Sequence, residues 1–344
     1  MRDNCGTLND YWYVVGIEKN VSQKAPLSSV ILETRIVVWM RSDGSLVAMR
    51  DRCTHRNTLL SKGSVNDDCI KCPYHGWTFD ADGNCVNVPS EGPDGKAFTN
   101  RTVETFPVKQ RYGLIWVWMG RGEPDKDPFH MPKIDEKGWS TYYMETEFDN
   151  EVTHLCENFM DVPHTVFVHE GWFRKRKRIK VESTVERTED SVLVDYKSND
   201  SIGFTDRVLN PRNLPMVHTD KFYLPNNTRV DYIWGEDKQG FVITSSTVPV
   251  TPTKSKVYTL ISYKFGLLNY AFRIVMPWYT RMVIEQDVVI MANQGQAFAE
   301  EEPSFKHTPA DTLHVFIESL RAWKANNEEG PQPKPLVRQV DFWI

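Results

Sequence analysis

No stretch of the 344-residue sequence approaches the ~18 uninterrupted apolar residues that a membrane-spanning helix needs. The closest segment, Phe265 to Tyr279, is interrupted by Asn269 and Arg273 and reads as a buried helix of a globular domain. The first ten residues hold no apolar run of roughly 7–15 residues, so a secretory leader is not expected and the cytoplasm is the expected compartment. Cysteine is scarce, with six in the whole chain. In a reducing cytosol these read as core thiols or metal ligands, not disulfides. Positive charge is not in excess: 41 Lys and Arg stand against 46 Asp and Glu, a net charge of −5. A nucleic-acid binder would show the opposite balance. No internal repeat is evident.

What is present is ordinary for a globular protein, with 40% hydrophobic and 25% charged residues, so disorder is not expected over most of the length. The length predicts about two domains. Residues 10–120 read as β-structure. Ile36–Met40 and Leu46–Met49 flank the turn Ser42-Asp-Gly-Ser45, and Trp77–Phe79 and Cys85–Val88 flank Ala81-Asp-Gly-Asn84. A Gly-, Pro- and charge-rich segment at 120–128 marks the expected boundary, giving domains 1–120 and 121–344. Beyond it, Val152, Leu155, Cys156 and Phe159 have helical spacing. Strand-like runs occupy 179–265. A helical region follows over about 267–300, expected to break near Pro277, and a last helix runs over about 311–324. The tail 326–335 is polar and Pro-rich and reads as extended. The second domain is therefore expected to be α+β, an antiparallel sheet closed by helices.

Three of the six cysteines crowd into 53–72 with two histidines beside them. The segment reads Cys53-Thr-His55-Arg56, then, after a spacer, Cys72-Pro-Tyr-His75-Gly-Trp77. Two thiolates and two imidazoles suit a tetrahedral structural zinc, and Cys69-x-x-Cys72 is also a zinc-knuckle spacing. They equally suit a Rieske [2Fe–2S] cluster, where two Cys hold one iron and two His the other. Neutral imidazole in place of thiolate makes such a cluster less negative, so it accepts an electron more readily.

A second constellation lies about 90 residues further on: Asn158-Phe-Met-Asp161-Val-Pro-His164-Thr-Val-Phe-Val-His169. Histidines five residues apart sit ~140° apart on a regular helix, so they do not share one helical face. Pro163 disturbs a helix there, and a bent ligand segment fits the spacing. A carboxylate stands among apolar neighbours in Val283-Ile-Glu-Gln-Asp287-Val-Val-Ile290. A buried carboxylate is costly unless paired or metal-bound, which singles out Asp287. Glu285 is the alternative, two residues away on another helical face.

Cys-Pro-Tyr-His-Gly-Trp resembles the second half of the Rieske motif as it occurs in oxygenases, and Cys-Thr-His-Arg is similar to the first half. No extra Cys stands in either ligand loop, unlike the respiratory Rieske proteins. The pattern Asn-x-x-Asp-x-x-His-x-x-x-x-His resembles the mononuclear-iron motif of Rieske non-haem iron oxygenases, where two His and a distant carboxylate hold Fe(II) on one face. The chain is similar to the α (terminal oxygenase) subunits of the vanillate and dicamba O-demethylase group. That resemblance implies an all-β Rieske domain followed by a helix-grip catalytic domain. It implies a cluster on Cys53, His55, Cys72 and His75, with Cys69 and Cys85 as packing thiols, and an Fe(II) on His164, His169 and Asp287. Asp161 matches the family's bridging carboxylate, between His164 and a cluster His, by position His75, of the next subunit in a head-to-tail homotrimer. Asn158 falls near the iron. Electrons are implied to come from NAD(P)H through a separate reductase or ferredoxin. O2 and a small organic substrate, aromatic or heterocyclic, are the implied partners in hydroxylation or oxidative demethylation. Aromatic-ring cis-dihydroxylation, and a non-catalytic electron-transfer role, remain as alternatives. Arg174-Lys-Arg-Lys-Arg178 with Lys180 is a basic run suited to an acidic electron-transfer partner, to an anionic substrate, or to a solvated strand start.

Overall fold

In a computed structural model, the structure describes residues 8–92, 100–172, 179–197, 210, 214–235 and 239–344. The basic run Arg174–Arg178 lies outside the described residues. Two compact units divide the chain, one spanning Asn9–His130 and the other taking in Met131–Ile344.

The first unit is all β. Strands β1 (Trp12–Ile17), β2 (Leu27–Ile31), β3 (Thr34–Met40), β4 (Leu46–Arg50), β5 (Ser64–Asn66), β6 (Cys69–Lys71), β7 (Thr78–Phe79), β8 (Cys85–Asn87), β9 (Thr105–Phe106), β10 (Val108–Arg111) and β11 (Leu114–Trp118) form three small sheets. Both Asp-Gly turns form where the sequence places them, joining β3 to β4 and β7 to β8. In the second, Asp80 Oδ1 accepts from the Asp82 and Asn84 amides. Gly83 sits at φ +81°, and a Cβ there would lie 2.0 Å from the Val103 carbonyl oxygen, so the turn admits only glycine. The core beneath the β5–β8 sheet joins Trp39, Met49, Leu60, Ile70 and Phe79 to the cysteines at 53, 72 and 85.

The second unit is built on one eight-stranded antiparallel sheet. Its strands are β12 (Ser140–Phe148), β13 (Lys180–Arg187), β14 (Ser191–Tyr196), β15 (Met216–Tyr223), β16 (Asn227–Trp234), β17 (Gln239–Thr251), β18 (Lys254–Lys264) and β19 (Leu336–Trp343), in the order β12-β18-β17-β16-β15-β14-β13-β19. Helices α1 (Val152–Asn158), α2 (Asn269–Glu300) and α3 (Thr312–Ala325) pack on one face. Helix α3 buries Leu313, Phe316, Ile317 and Leu320 against Val185, Val192, Val194 and Phe222, as its spacing predicts. The chain is thus the expected α+β arrangement, an all-β unit followed by a sheet that grips helices.

One expectation fails, and one strand was not foreseen. Helix α2 does not break near Pro277 but continues from Asn269 to Glu300. The amide that proline lacks would have bonded the Arg273 carbonyl, and Arg273 is an exposed residue, so the missing bond falls on the outer side of the helix, where it costs least. The Tyr142 hydroxyl, 2.7 Å from Thr280 Oγ1, holds the next turn to the sheet. The polar tail also leads into a strand that sequence periodicity did not reveal. β19 is an edge strand with mostly exposed side chains, so it carries no clean apolar alternation. Among the described residues, no helix is long and apolar enough to cross a membrane.

Candidate metal centres

Two loops of matching design carry the first candidate site. The Cys53 amide donates to the Thr58 carbonyl and the Asn57 amide donates back to the Cys53 carbonyl. In the second loop the Cys72 amide donates to the Trp77 carbonyl and the Gly76 amide to the Cys72 carbonyl. The residue four after each cysteine takes a left-handed conformation, Asn57 at φ 62° and Gly76 at φ 74°. Each loop therefore folds back on itself through a pair of backbone hydrogen bonds. The two thiols are buried side by side, and burial together with the neighbouring Cys72 pushes the Cys53 thiol up to about 11. The two imidazoles meet further out, with ring centroids 4.6 Å apart, His55 half-buried and His75 exposed. His55 lies flat on Trp77, at 4.6 Å and 1°, and the Arg101 guanidinium covers the same indole. Nδ1 of His55 is buried with no hydrogen-bond partner, as a metal-directed nitrogen would be. Thiols paired at the inner end and imidazoles paired at the outer end suit two metals with two ligands each.

The second candidate site assembles from three parts of the second unit. Glu151 caps α1 by accepting from the Thr153 amide, and the helix stops at Asn158. A short 3₁₀ turn, Pro163–Val166, follows, with proline at its start. Asp161 Oδ2 accepts from the His164 amide at 3.1 Å, which closes that turn. His164 and His169 thereby leave a bent segment with ring centroids 5.2 Å apart. Asp287 reaches them from α2, whose buried positions are Met276, Thr280, Asp287 and Met291. That spacing is one helical face, and it turns Asp287 inward. Glu285 points outward and pairs with Arg281 at 3.6 Å.

The ligand atoms of His164, His169 and Asp287 all lie within 4.8 Å of one another. Asp287 Oδ1 is 3.5 Å from His164 Nε2 and 3.3 Å from His169 Nε2. Burial would raise the Asp287 carboxyl, yet its contacts with the two imidazoles hold it far below the ordinary carboxylate range. Burial would likewise lower His164, but its contacts with the Asp161 and Asp287 carboxylates raise it to about 9. Asp161 Oδ2 lies 3.3 Å from His164 Nδ1, on the side of the ring away from Asp287. Asn158 Nδ2 donates to Asp287 Oδ1 at 3.3 Å. All nine residues singled out from the sequence thus fall into two clusters: four in the first unit, and His164, His169, Asp287, Asp161 and Asn158 in the second.

Sequence reasoning missed Gln286. Its Oε1 lies 2.8 Å from His169 Nδ1, so the amide oxygen accepts the Nδ1 proton and leaves Nε2 free to bind a metal. The only signal was its place beside Asp287. Gln286→Leu is expected to weaken Fe(II) or Co(II) binding about 10–100-fold, as measured by titration of metal-free protein, while Gln286→Glu keeps it. An unchanged dissociation constant in the leucine variant would dismiss this role.

A cavity of about 120 Å³ opens beside the three ligands. Its sheet wall is formed by alternate residues of neighbouring strands: Thr228, Val230 and Tyr232 of β16, then Phe241, Ile243 and Ser245 of β17. Tyr279, Val283 and Ile284 of α2 close the opposite side. A second cavity, of about 500 Å³, lies on the other side of Asn158 and Asp161 and is rimmed by Glu151, Glu157, Glu302 and Glu318.

An all-β unit with a two-Cys, two-His cradle, joined to a helix-grip unit with two His and one carboxylate, defines an oxygenase-type two-domain architecture. Residues 11–107 match the Rieske [2Fe-2S] domain, and residues 149–316 match the vanillate O-demethylase oxygenase C-terminal domain. The chain belongs to the Rieske oxygenase family. It is 31% identical over 223 residues to the oxygenase component of dicamba O-demethylase from Stenotrophomonas maltophilia, covering 64% of this chain and 61% of that one. It is 26% identical over 350 residues to the chloroplastic pheophorbide a oxygenase of Oryza sativa subsp. japonica, covering 91% of this chain and 64% of that one. The chain spans about 56–64% of the length of three such plant relatives. The structure of dicamba monooxygenase bound to dicamba superposes with a TM-score of 0.80 at 21% identity, covering 94% of this chain and 99% of that one. The zinc alternative for the first site falls away with the Rieske match.

Proposed function

We propose that the chain is a terminal oxygenase that hydroxylates or oxidatively demethylates a small organic substrate, aromatic or heterocyclic, with O2 and electrons from NAD(P)H delivered by a separate reductase or ferredoxin. The convergence of His164, His169 and Asp287 beside an apolar cavity carries this reading. In this reading Cys53, Cys72, His55 and His75 hold a [2Fe–2S] cluster, and the three convergent ligands hold Fe(II). When bound, the cluster supplies single electrons and the iron supplies a face open to O2.

The protein's own groups do the rest. Gln286 fixes the His169 tautomer. Asn158 donates to Asp287 and orients its carboxylate. Val230, Ile243, Val283 and Ile284 exclude water from the cavity, which keeps the ligand charges strong. Tyr232 and Phe241 offer aromatic surface to a flat substrate.

Head-to-tail trimers fit the same reading, with the cluster of one subunit serving the iron of the next. His75 is exposed and flanked by the exposed Arg52, Arg56 and Lys71, whereas the cavity beside Asp161 carries four glutamates, Glu151, Glu157, Glu302 and Glu318, against one lysine, Lys306, and three histidines. This charge complementarity supports docking between copies. Asp161 would then lie between His164 and the partner cluster.

The test combines metal analysis with turnover. Three irons and two acid-labile sulfides per chain are expected, together with a visible cluster spectrum. A substrate panel run with reductase and NADH should show substrate-dependent O2 uptake, with formaldehyde release where a methyl group is removed. Zinc in place of iron, or no O2 uptake across a broad panel of neutral and anionic aromatics, would overturn the reading.

A further inference from the structure

A row of buried polar and aromatic side chains supplies no ligand to either metal site. The register of β14, β15 and β16 sets Tyr196 opposite His218 and His218 opposite Tyr232. The rings stack: Tyr196 and His218 have centroids 4.3 Å apart at 19°, and His218 and Tyr232 4.4 Å apart at 26°. Asp220, two residues along β15, joins them. Its Oδ2 accepts the Tyr196 hydroxyl at 3.0 Å and its Oδ1 lies 3.0 Å from His218 Nε2. All four residues are buried, Asp220 to 1% exposure and His218 to 2%.

The row is costly as mere filling. Taking a carboxylate, an imidazole and two phenols out of water is unfavourable unless every group finds a partner. Val192, Val194 and Phe222 fill equivalent positions of the same core with hydrocarbon alone. His218 Nδ1, moreover, is left without a partner, so the row is not a fully satisfied network.

Its placement is specific. Tyr232 lines the cavity shared with His164, His169 and Asp287. Tyr196, at the far end, donates its hydroxyl hydrogen bond directly to the buried Asp220 carboxylate. A phenol loses an electron easily only when its proton has somewhere to go, and here the acceptor is already hydrogen-bonded. The two rings between that phenol and the cavity, His218 and Tyr232, stack one on the next.

We propose that Tyr232, His218 and Tyr196, with Asp220 as proton acceptor, form an electron-donor relay that reduces the oxidised iron site when no substrate is present to consume its oxidising power. The inference rests on the oxygenase reading. In the step, the Tyr196 O–H bond breaks. One electron passes through His218 and Tyr232 to the iron site, which is reduced by one electron, and the proton forms a new O–H bond on Asp220 Oδ2. The products are a neutral phenoxyl radical and a neutral carboxylic acid. Hydrogen peroxide serves as the oxidant in the test, oxidising the iron and being reduced to water.

Iron-loaded, substrate-free full-length chain is mixed with peroxide, freeze-quenched and examined by electron paramagnetic resonance. An organic radical is expected whose signal narrows in protein carrying ring-deuterated tyrosine. Tyr196→Phe should abolish it, and Asp220→Asn, which keeps the volume and an acceptor but loses the base, should largely suppress it. Elemental analysis establishes that each variant retains its iron. Iron-loaded protein that gives no tyrosyl signal, or a signal unchanged in Tyr196→Phe, overturns the relay. Protein that binds no iron at His164, His169 and Asp287 overturns the oxygenase reading and the relay together. Protein that gives the radical but oxygenates nothing sustains the relay and sinks the oxygenase reading alone.

Discussion

Asp287→Ala is expected to leave the visible spectrum of the cluster intact while the third iron and all turnover are lost. The two halves of this result have separate physical grounds. Asp287 belongs to the helix-grip unit, and the cluster cradle is formed wholly by loops of the β unit, so the cluster's ligands, loop hydrogen bonds and core neighbours are untouched. At the candidate iron site Asp287 is the only carboxylate among the three convergent groups, and its Oδ1 lies within 3.5 Å of both imidazoles. Losing a group that merely orients a ligand costs about 10–100-fold in metal affinity, and losing the ligand itself exceeds that. Two imidazoles alone also leave the charge of Fe(II) uncompensated in an apolar surround. Iron and sulfide analysis beside the visible spectrum reads the result: two irons, two sulfides and no turnover. Normal turnover in this variant would move the third ligand elsewhere. Glu285→Ala serves as the control, because that side chain is exposed and paired with Arg281, and it should retain all three irons.

Asp161→Asn is expected to keep both metals and slow cluster-to-iron electron transfer about 10–100-fold. Asparagine preserves the size of the side chain and an oxygen to accept the His164 amide. What it removes is the negative charge beside His164 Nδ1. Burial would raise the Asp161 carboxyl, yet its hydrogen bond with His164 lowers it, so the native group is held as the anion. A carboxylate between two imidazoles orients both and responds to their charge, and an amide does neither equally. Stopped-flow single turnover of pre-reduced protein, with iron and sulfide counted beforehand, reads the effect. Unchanged kinetics would remove Asp161 from the path. A loss of the mononuclear iron would make it a support for His164 alone.

The cluster loops were the most legible part of the chain. Cys-x-His and Cys-x-x-His place each ligand pair within one tight turn, and the turn chemistry of Asn57 and Gly76 is equally local. The histidine pair of the second site was also local, because Pro163 and Asp161 shape the few residues that join them. Asp287 was reached differently, through the cost of a carboxylate in an apolar helix. Gln286 escaped because its partner His169 is 117 residues away and nothing in its own neighbourhood marks it. Pro277 misled for the opposite reason: the local rule predicts a break, but its place on the exposed side of the helix and the Tyr142 contact to the sheet remove its force. The relay residues looked equally ordinary. His218 stands in no motif, and its stacking partners come from two neighbouring strands.

By itself the sequence determined the two-unit order and the rotation of α3, and it singled out the candidate ligands at both sites, because each follows from spacing along one continuous element. Only the tertiary structure decided which carboxylate of α2 turns inward, which strand residues line the cavity, and that Tyr196, His218 and Tyr232 form one stack. Those outcomes depend on strand register and on the angle at which a helix meets a sheet. Such quantities are set by packing between segments that lie far apart in the chain, where a shift of one residue would turn every side chain to the other face.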